Sequence, residues 1–384
     1  MDRTLLLVNR GARAFGFGFS AVLIGVQLER NGLSPGLIGL TLGIGLAAAS
    51  LSGLGSAAVA ARIGRRRTLS IAGVLMVITG LDLALVTQPV LLALAGITGM
   101  LGAASVDLGP FASVEQALLA EAVAPAARNV AFARYSLSGG LFNAAGALAA
   151  ALAPNRADAR IFFLLYAAIG VATALLPLFM TERVETSHKA AAFGSFRPLA
   201  GLAALFALDS FGGGFIASAV IAYWLHVRFG TDAQVIGPVL AVVAALQAIS
   251  YEVSGRLGNR IGLINTMVFT HLPSNVILLF VPFSPNLLVA VLLLWLRFAL
   301  SQMDVPARQA YVVSIVPSAE RAGAVAMTGA VRGLGQAAGA ALAGVAIGAA
   351  AFGLPFYAGG GLKILYDVLL FAGYRNRRAD HETL

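Results

Sequence analysis

Hydrophobic and polar residues follow one another along this chain in long blocks, not in the one-sided 3.6-residue stripe of a helix that packs on a water-facing core. Apolar tracts recur near 4–29, 36–60, 68–87, 90–119, 128–152, 160–180, 199–226, 233–257, 264–282, 287–312, 323–349 and 355–374. Each is close to or above the length of about 20 residues that carries a helix across a bilayer. The pattern therefore predicts an all-α membrane protein with twelve transmembrane helices. The breaks between tracts carry turn and charge signals: LSPG at 33–36, RIGRRR at 62–67, APNRADAR at 153–160, VPFSPN at 281–286 and VPSAER at 316–321. One longer hydrophilic stretch, TERVETSHKAAAFGSFRP at 181–198, divides the chain into an N-terminal six-span bundle (1–180) and a C-terminal one with a short tail (199–384).

Composition narrows the picture. Of 384 residues, 59% are hydrophobic and 11% charged, where a soluble domain carries about 25% charged residues. The net charge of +9 lies in arginines of the short breaks, so it points to the lipid bilayer and not to nucleic acid. Placing both termini, the central stretch and the loops near 61–68, 121–128, 256–262 and 316–322 on one side gathers roughly fifteen Arg and Lys there against about four opposite, which makes that side cytoplasmic. The first tract reads as a retained span in a cytoplasmic (inner) membrane. Cysteine is absent, and isolated histidines make no metal site, so no cofactor, no metal and no enzyme chemistry are expected. The expected state is a monomer.

The two halves repeat one another. A shift of 196 residues lays Arg13-Ala-Phe15-Gly16-Phe-Gly18-Phe19 on Asp209-Ser-Phe211-Gly212-Gly-Gly214-Phe215. A shift of 198 lays Arg62-Ile63-Gly64 on Arg260-Ile261-Gly262, and one of 193 lays Gln116-Ala117, Arg128 and Ala144-Ala145-Gly146-Ala147 on Gln309-Ala310, Arg321 and Ala337-Ala338-Gly339-Ala340. Two six-span halves in one orientation follow, related by an axis along the membrane normal.

The loop after the second span, GSAAVAARIGRRR, and the loop after the eighth, GRLGNRIGLIN, resemble the signature G-x-x-x-D-R-x-G-R-R between the second and third helices of the major facilitator superfamily. The second copy matches at Gly255, Asn259 (for Asp), Arg260 and Gly262; the first matches at Arg62, Gly64, Arg65 and Arg66, with Ala57 and Ala61 in place of the glycine and the aspartate. The resemblance implies a gating role for these loop residues. It also implies a conformational latch that Ala61 would lack. GLINTMVFTHLPSN (262–275) and QMDVPARQAYV (302–312) resemble a bacterial and archaeal permease branch of that superfamily.

Ionisable residues within the spans are costly, at about 2.5–3.5 kcal/mol or more each. They are Arg13, Asp82, Asp107, Arg134, Asp209, Arg297, Asp304, Arg332, Lys363 and Asp367. The resemblance places the first, fourth, seventh and tenth spans around a central cavity, with the fifth and eleventh also facing inward, so Arg13, Asp107, Asp209, Arg297, Asp304, Arg134 and Arg332 form the expected proton and substrate cavity. Arg13 and Asp209 are equivalent by the repeat, at equal depth across the axis, and are expected to pair either as a static lock or as a proton switch. Glu115 and Arg308 are likewise equivalent and are expected to form an inner gate. Lys363 and Asp367, four residues apart, read as a self-neutralising pair on one helix face. Prolines 110 and 306 should bend spans four and ten just after Asp107 and Asp304. Gly212-Gly213-Gly214 should weaken span seven beside Asp209. Tyr223 and Trp224 fit an aromatic belt at the membrane surface.

These features describe a secondary transporter of a small molecule working by alternating access. No nucleotide-binding G-x-x-x-x-G-K-[ST] is present, so the energy is expected from protons or from the solute's own gradient. The loop signature favours proton-driven export. Uptake of a polar solute, or a sensor or scaffold with the same fold, are the alternatives.

Overall fold

The computed structural model describes residues 2–102, 109–121, 128–153, 156–185, 199–315 and 321–376. Its α-helices are α1 (Asp2–Arg30), α2 (Pro35–Ile63), α3 (Arg65–Leu85), α4 (Pro89–Leu94), α5 (Pro110–Glu121), α6 (Arg128–Ala149), α7 (Arg156–Leu175), α8 (Ala200–Gly214), α9 (Ser218–Phe229), α10 (Ala233–Ile261), α11 (Leu263–Phe280), α12 (Leu287–Ser301), α13 (Asp304–Ser314), α14 (Arg321–Gly348) and α15 (Leu354–Tyr374). Among the described residues nine helical stretches are long and apolar enough to cross a membrane, one of them being α8 and α9 together. Spans four and ten are each two shorter helices, α4 with α5 and α12 with α13, and α6 is the fifth span. We call the face at which α1 begins proximal and the other distal.

Local chemistry explains where helices start. Ser34 caps α2, its hydroxyl accepting from the Leu37 N–H, with Pro35 in the first turn. Asp232 caps α10 through the Gln234 N–H, and Asn286 caps α12 through the Val289 N–H. The outer faces of α3 and α7 are apolar, with Ile71, Val74, Ile78, Leu81, Ile161 and Leu164 exposed, as helices bathed in lipid require.

The interruptions in spans four and ten are repaired alike. A break frees backbone carbonyls, and within a bilayer these need partners from neighbouring helices. Around the α12–α13 break, Ser250 of α10 donates to the Ala299 carbonyl at 2.6 Å, Ser254 donates to the Met303 carbonyl, and Tyr251 donates to Gln302 Oε1 at 3.3 Å. Beyond α4, Ser20 of α1 donates to the Leu101 carbonyl at 2.7 Å, and Tyr166 of α7 donates to the Met100 carbonyl. Span seven breaks at residues 215–217, directly after the triple glycine.

Small residues set the helix contacts, and the repeat governs them closely. A methyl group at Gly18 would strike the Asn143 carbonyl and the Ala147 nitrogen, and one at Gly214 would strike the Gln336 carbonyl and the Ala340 nitrogen. Likewise Gly146 rests on the Phe15 carbonyl and Gly339 on the Phe211 carbonyl. Both pairs obey the same shifts that align the sequences. Between the halves, Gly39 meets Gly344, Gly43 meets Ala337 and Ala341, Gly237 meets Ala147 and Ala151, and Gly25 meets Tyr223. These crossings lie toward the distal face. Nearer the proximal ends of α2 and α14, a methyl group at Gly55 or Gly329 would find nothing within 4 Å.

Gly214→Val should therefore lower thermal stability in detergent by about 1–3 kcal/mol, the usual cost of overpacking. Gly361→Ala, where a methyl group meets nothing within 4 Å, should leave the unfolding midpoint unchanged or raised.

Candidate functional site

Arg13, Asp209, His271, Arg297 and Lys363 each sit between about 12 and about 17 Å along their helices from the nearer membrane face, at 1.5 Å per residue. With a hydrocarbon core about 30 Å thick, that is the midplane.

In the N-terminal half Glu115 of α5 collects the donors. Arg13 Nη2 reaches Glu115 Oε2 at 2.8 Å, with both side chains fully buried. Asn9 Nδ2 donates to Oε1 at 3.0 Å, and the Tyr135 hydroxyl of α6 donates to Oε2 at 2.6 Å. Arg10, one turn before Arg13, lies over the Tyr135 ring at 3.9 Å and donates to its carbonyl and hydroxyl oxygens at 3.3 and 3.2 Å. One carboxylate thus ties spans one, four and five together.

In the C-terminal half the hub is Asp209 of α8. Its Oδ1 accepts from Lys363 Nζ of α15 at 2.6 Å, and its Oδ2 accepts from Arg308 Nη1 of α13 at 3.3 Å. The same Arg308 nitrogen donates to Asp304 Oδ2 at 2.7 Å. His271 of α11 has Nε2 at 3.7 Å from Asp209 Oδ1 and Nδ1 at 2.9 Å from Asp367 Oδ1. Asn275 donates to Asp367 Oδ2 at 2.9 Å, and Arg332 Nε of α14 donates to the Ser210 hydroxyl at 3.2 Å. Spans seven, nine, ten, eleven and twelve are joined.

These contacts correct the expected pairings. Arg13 and Asp209 do not pair across the axis, and Glu115 and Arg308 do not pair with each other; each finds its partner inside its own half. By the repeat, Arg13 corresponds to Asp209 and Glu115 to Arg308. The bridge between spans one and four therefore recurs between spans seven and ten with its charges exchanged. Lys363 and Asp367 do not neutralise one another either: Lys363 turns to Asp209 and Asp367 to His271 and Asn275. Arg297 is buried over the Phe298 ring at 4.3 Å, and its Nε and Nη1 have no hydrogen-bond partner. Asp107 lies outside the described residues, as do the side chains of Arg134 and Asn259.

At the proximal loops Gly64 and Gly262 have φ of +93° and +86°, each ending one helix and opening the next, a backbone region open to glycine. Arg62 and Arg260 are exposed there. The Glu185 carboxylate, from the stretch between the halves, accepts from the Arg65 N–H at 2.6 Å and the Arg66 N–H at 3.1 Å. A carboxylate thus meets the positive end of α3 although Ala61 has replaced the acid of the motif. Sequence reasoning missed Glu185, Asn9, Arg10, Tyr135 and the functional placement of His271. Arg10 with Arg13, and His271 with Asn275, are at helical spacings that put each pair on one face.

At the distal face a polar contact between the halves also joins α1 to α9. His226 Nδ1 lies 2.6 Å from the Thr231 carbonyl oxygen and Nε2 lies 3.2 Å from Glu29 Oε2, while the Tyr223 hydroxyl donates to Glu29 Oε1 at 3.4 Å. Tyr223 and Trp224 are buried here and not in a surface belt; the Trp224 indole donates to the Phe352 carbonyl at 2.9 Å. A Ser218→Cys thiol, in a chain without native cysteine, should label from the distal side about twofold to fivefold faster when His226→Gln removes the contact with Glu29, the range for a partly exposed ion pair.

Comparison with known proteins agrees with this architecture. A family model of the Major Facilitator Superfamily matches residues 6–207 and again 202–384. A membrane protein of Saccharomyces cerevisiae, itself described as uncharacterised, is 23% identical over 362 residues, 82% of this chain and 81% of its own. Among solved structures, a D-xylose–proton symporter superposes with a TM-score of 0.72 at 15% identity, covering 96% of this chain and 97% of the symporter. The nucleoside transporter NupG gives 0.71 at 15% identity (98% and 99%), and the human organic anion transporter MFSD10 gives 0.69 at 16% (96% and 98%). With the family matched across both halves and twelve spans in two repeated sets of six, the chain belongs to the major facilitator superfamily.

Proposed function

We propose that this protein is a proton-coupled secondary transporter of a small molecule, in which two bundles, residues 1–180 and 199–384, rock about the midplane charges. It sits in a cytoplasmic membrane with both termini inside, and it works as an exporter by proton exchange. The observation that carries the reading is the position of Asp209, held at once by Lys363, Arg308 and, at longer range, His271. A buried carboxylate gripped by two cations is a bistable element. Ionised, it holds α8 to α13 and α15; protonated, it neither needs nor balances them, and Lys363 and Arg308 are driven to other partners. His271 offers a route for the proton, because one ring nitrogen faces Asp367 and the other faces Asp209. Seating of the halves at the distal face, with Gly55 and Gly329 uncovered toward the proximal face, suits a state open to the cytoplasm. A fold neighbour described as a proton symporter is in keeping with coupling of this kind.

The test needs no known substrate. In reconstituted protein, single cysteines at Gly55 and Ser218 should change labelling in opposite directions when pH is shifted. Asp209→Asn, which keeps the shape and removes the titrating proton, should abolish that response and also pH-driven transport in a growth and uptake panel. Unchanged labelling in the wild type at every pH would favour a scaffold, and a normal response in Asp209→Asn would place coupling elsewhere.

A further inference from the structure

We infer that the solute is an anion, bearing a carboxylate or phosphate, and that Arg297 is the side chain that receives it; this deepens the transport reading and rests on it.

Charge near the midplane does not balance. Arg10, Arg13, Arg297, Arg308, Lys363 and the half-buried Arg332 stand against Glu115, Asp209, Asp304, Asp367 and the exposed Glu252 of α10, leaving an excess of one positive charge among the described side chains. Asp107 and Arg134, whose side chains are not described, have opposite formal charges and leave that excess as it is. A buried unpaired cation is strongly destabilising. Lysine escapes by losing its proton, but a guanidinium stays charged in proteins. Its counter-charge must come from the chain or from a ligand.

For every other cation the chain supplies an acceptor. Arg10 has Tyr135, Arg13 has Glu115, Arg308 has Asp304 and Asp209, Arg332 has Ser210 and Lys363 has Asp209. Arg297 alone among these has none, although it is only 3% exposed and its Nε and Nη1 are both without a partner. Asp209 and Asp304, whose charges act on it, are already taken by Lys363 and Arg308. Water would satisfy its hydrogens but carries no compensating charge. Further donors stand unused on Arg13 (Nε and Nη1) and Arg308 (Nε), so both halves of the repeat keep guanidinium hydrogens in reserve. Planar, multiply donating guanidinium groups match carboxylate and phosphate oxygens. Arg297 lies about 15 Å inside the distal end of α12 at 1.5 Å per residue, the depth at which a carrier holds its solute between the faces.

The experiment is thermal unfolding of the purified full-length protein at constant ionic strength. Benzoate, succinate and glycerol phosphate are titrated beside their uncharged counterparts benzamide, succinamide and glycerol. At least one anion should raise the midpoint saturably while its neutral counterpart does not. Arg297→Gln should weaken that anion about thirtyfold or more, the loss usual when one partner of a buried charge pair is removed, and Arg297→Lys should restore part of it. The ligand-free midpoint of each variant reports folding separately. The inference is overturned if no anion stabilises, if neutral compounds do so equally, or if Arg297→Gln binds the anion as well as wild type. An anion bound through Arg297 but not moved across vesicles would sink the transport reading and leave the anion site standing.

Discussion

A carboxylate buried among membrane-spanning helices has no bulk water to lean on, so its partner must be built into the fold. Glu115 and Asp209 obey that constraint in mirrored fashion. Each crosslinks the first and fourth spans of its half, Glu115 through Arg13 and Asp209 through Arg308. The bridge has been kept while its polarity has been exchanged, which is possible because what the fold needs is a neutralised pair of given length and not a particular sign at either end. The glycine contacts of Gly18 with Gly214 and of Gly146 with Gly339 recur under the same shifts. Backbone geometry is common to the halves, and only the charges have been rewritten.

That geometry also explains why the interrupted spans bear the chemistry. A proline or a run of glycines opens a helix at membrane depth only where neighbours donate hydrogen bonds to the freed backbone carbonyls. Ser250 and Ser254 donate to such carbonyls in span ten, and Ser20 and Tyr166 do so in span four. The repair fixes the start of α13, which projects Asp304 and Arg308, one turn apart, toward Asp209.

Much of this was legible in the sequence, because the bilayer imposes apolar blocks and the repeat leaves aligned motifs such as RAFGFGF and DSFGGGF. Most of the charged positions were legible for the same reason, each being an exception within an apolar tract, while Arg10, close to the start of the first tract, was passed over. Their pairing was not legible. Symmetry puts Arg13 and Asp209 at equal depth, but depth says nothing of the direction in which a side chain turns around its helix. Each turned toward the fourth span of its own half. Glu185 was hidden for another reason, since it lies far from the loop motif whose helix end it meets. Spacing within a motif cannot reveal a partner supplied from elsewhere in the chain.

Exchanging the charges has a consequence for where a proton switch can reside. In the N-terminal half the carboxylate is held by Arg13, Asn9 and Tyr135, an arginine that keeps its proton and two groups that carry no charge at neutral pH. Such a bridge has few protonation states open to it and behaves as a fixed strut. In the C-terminal half Asp209 faces a lysine and a histidine as well as an arginine, and the histidine leads on to a further carboxylate at Asp367. Lysine and histidine both change charge when their surroundings change, so several arrangements of the same protons are available around one hub. The proton coupling proposed for this transporter is therefore assigned to the C-terminal half, with the N-terminal half taken as the rigid body against which that half moves.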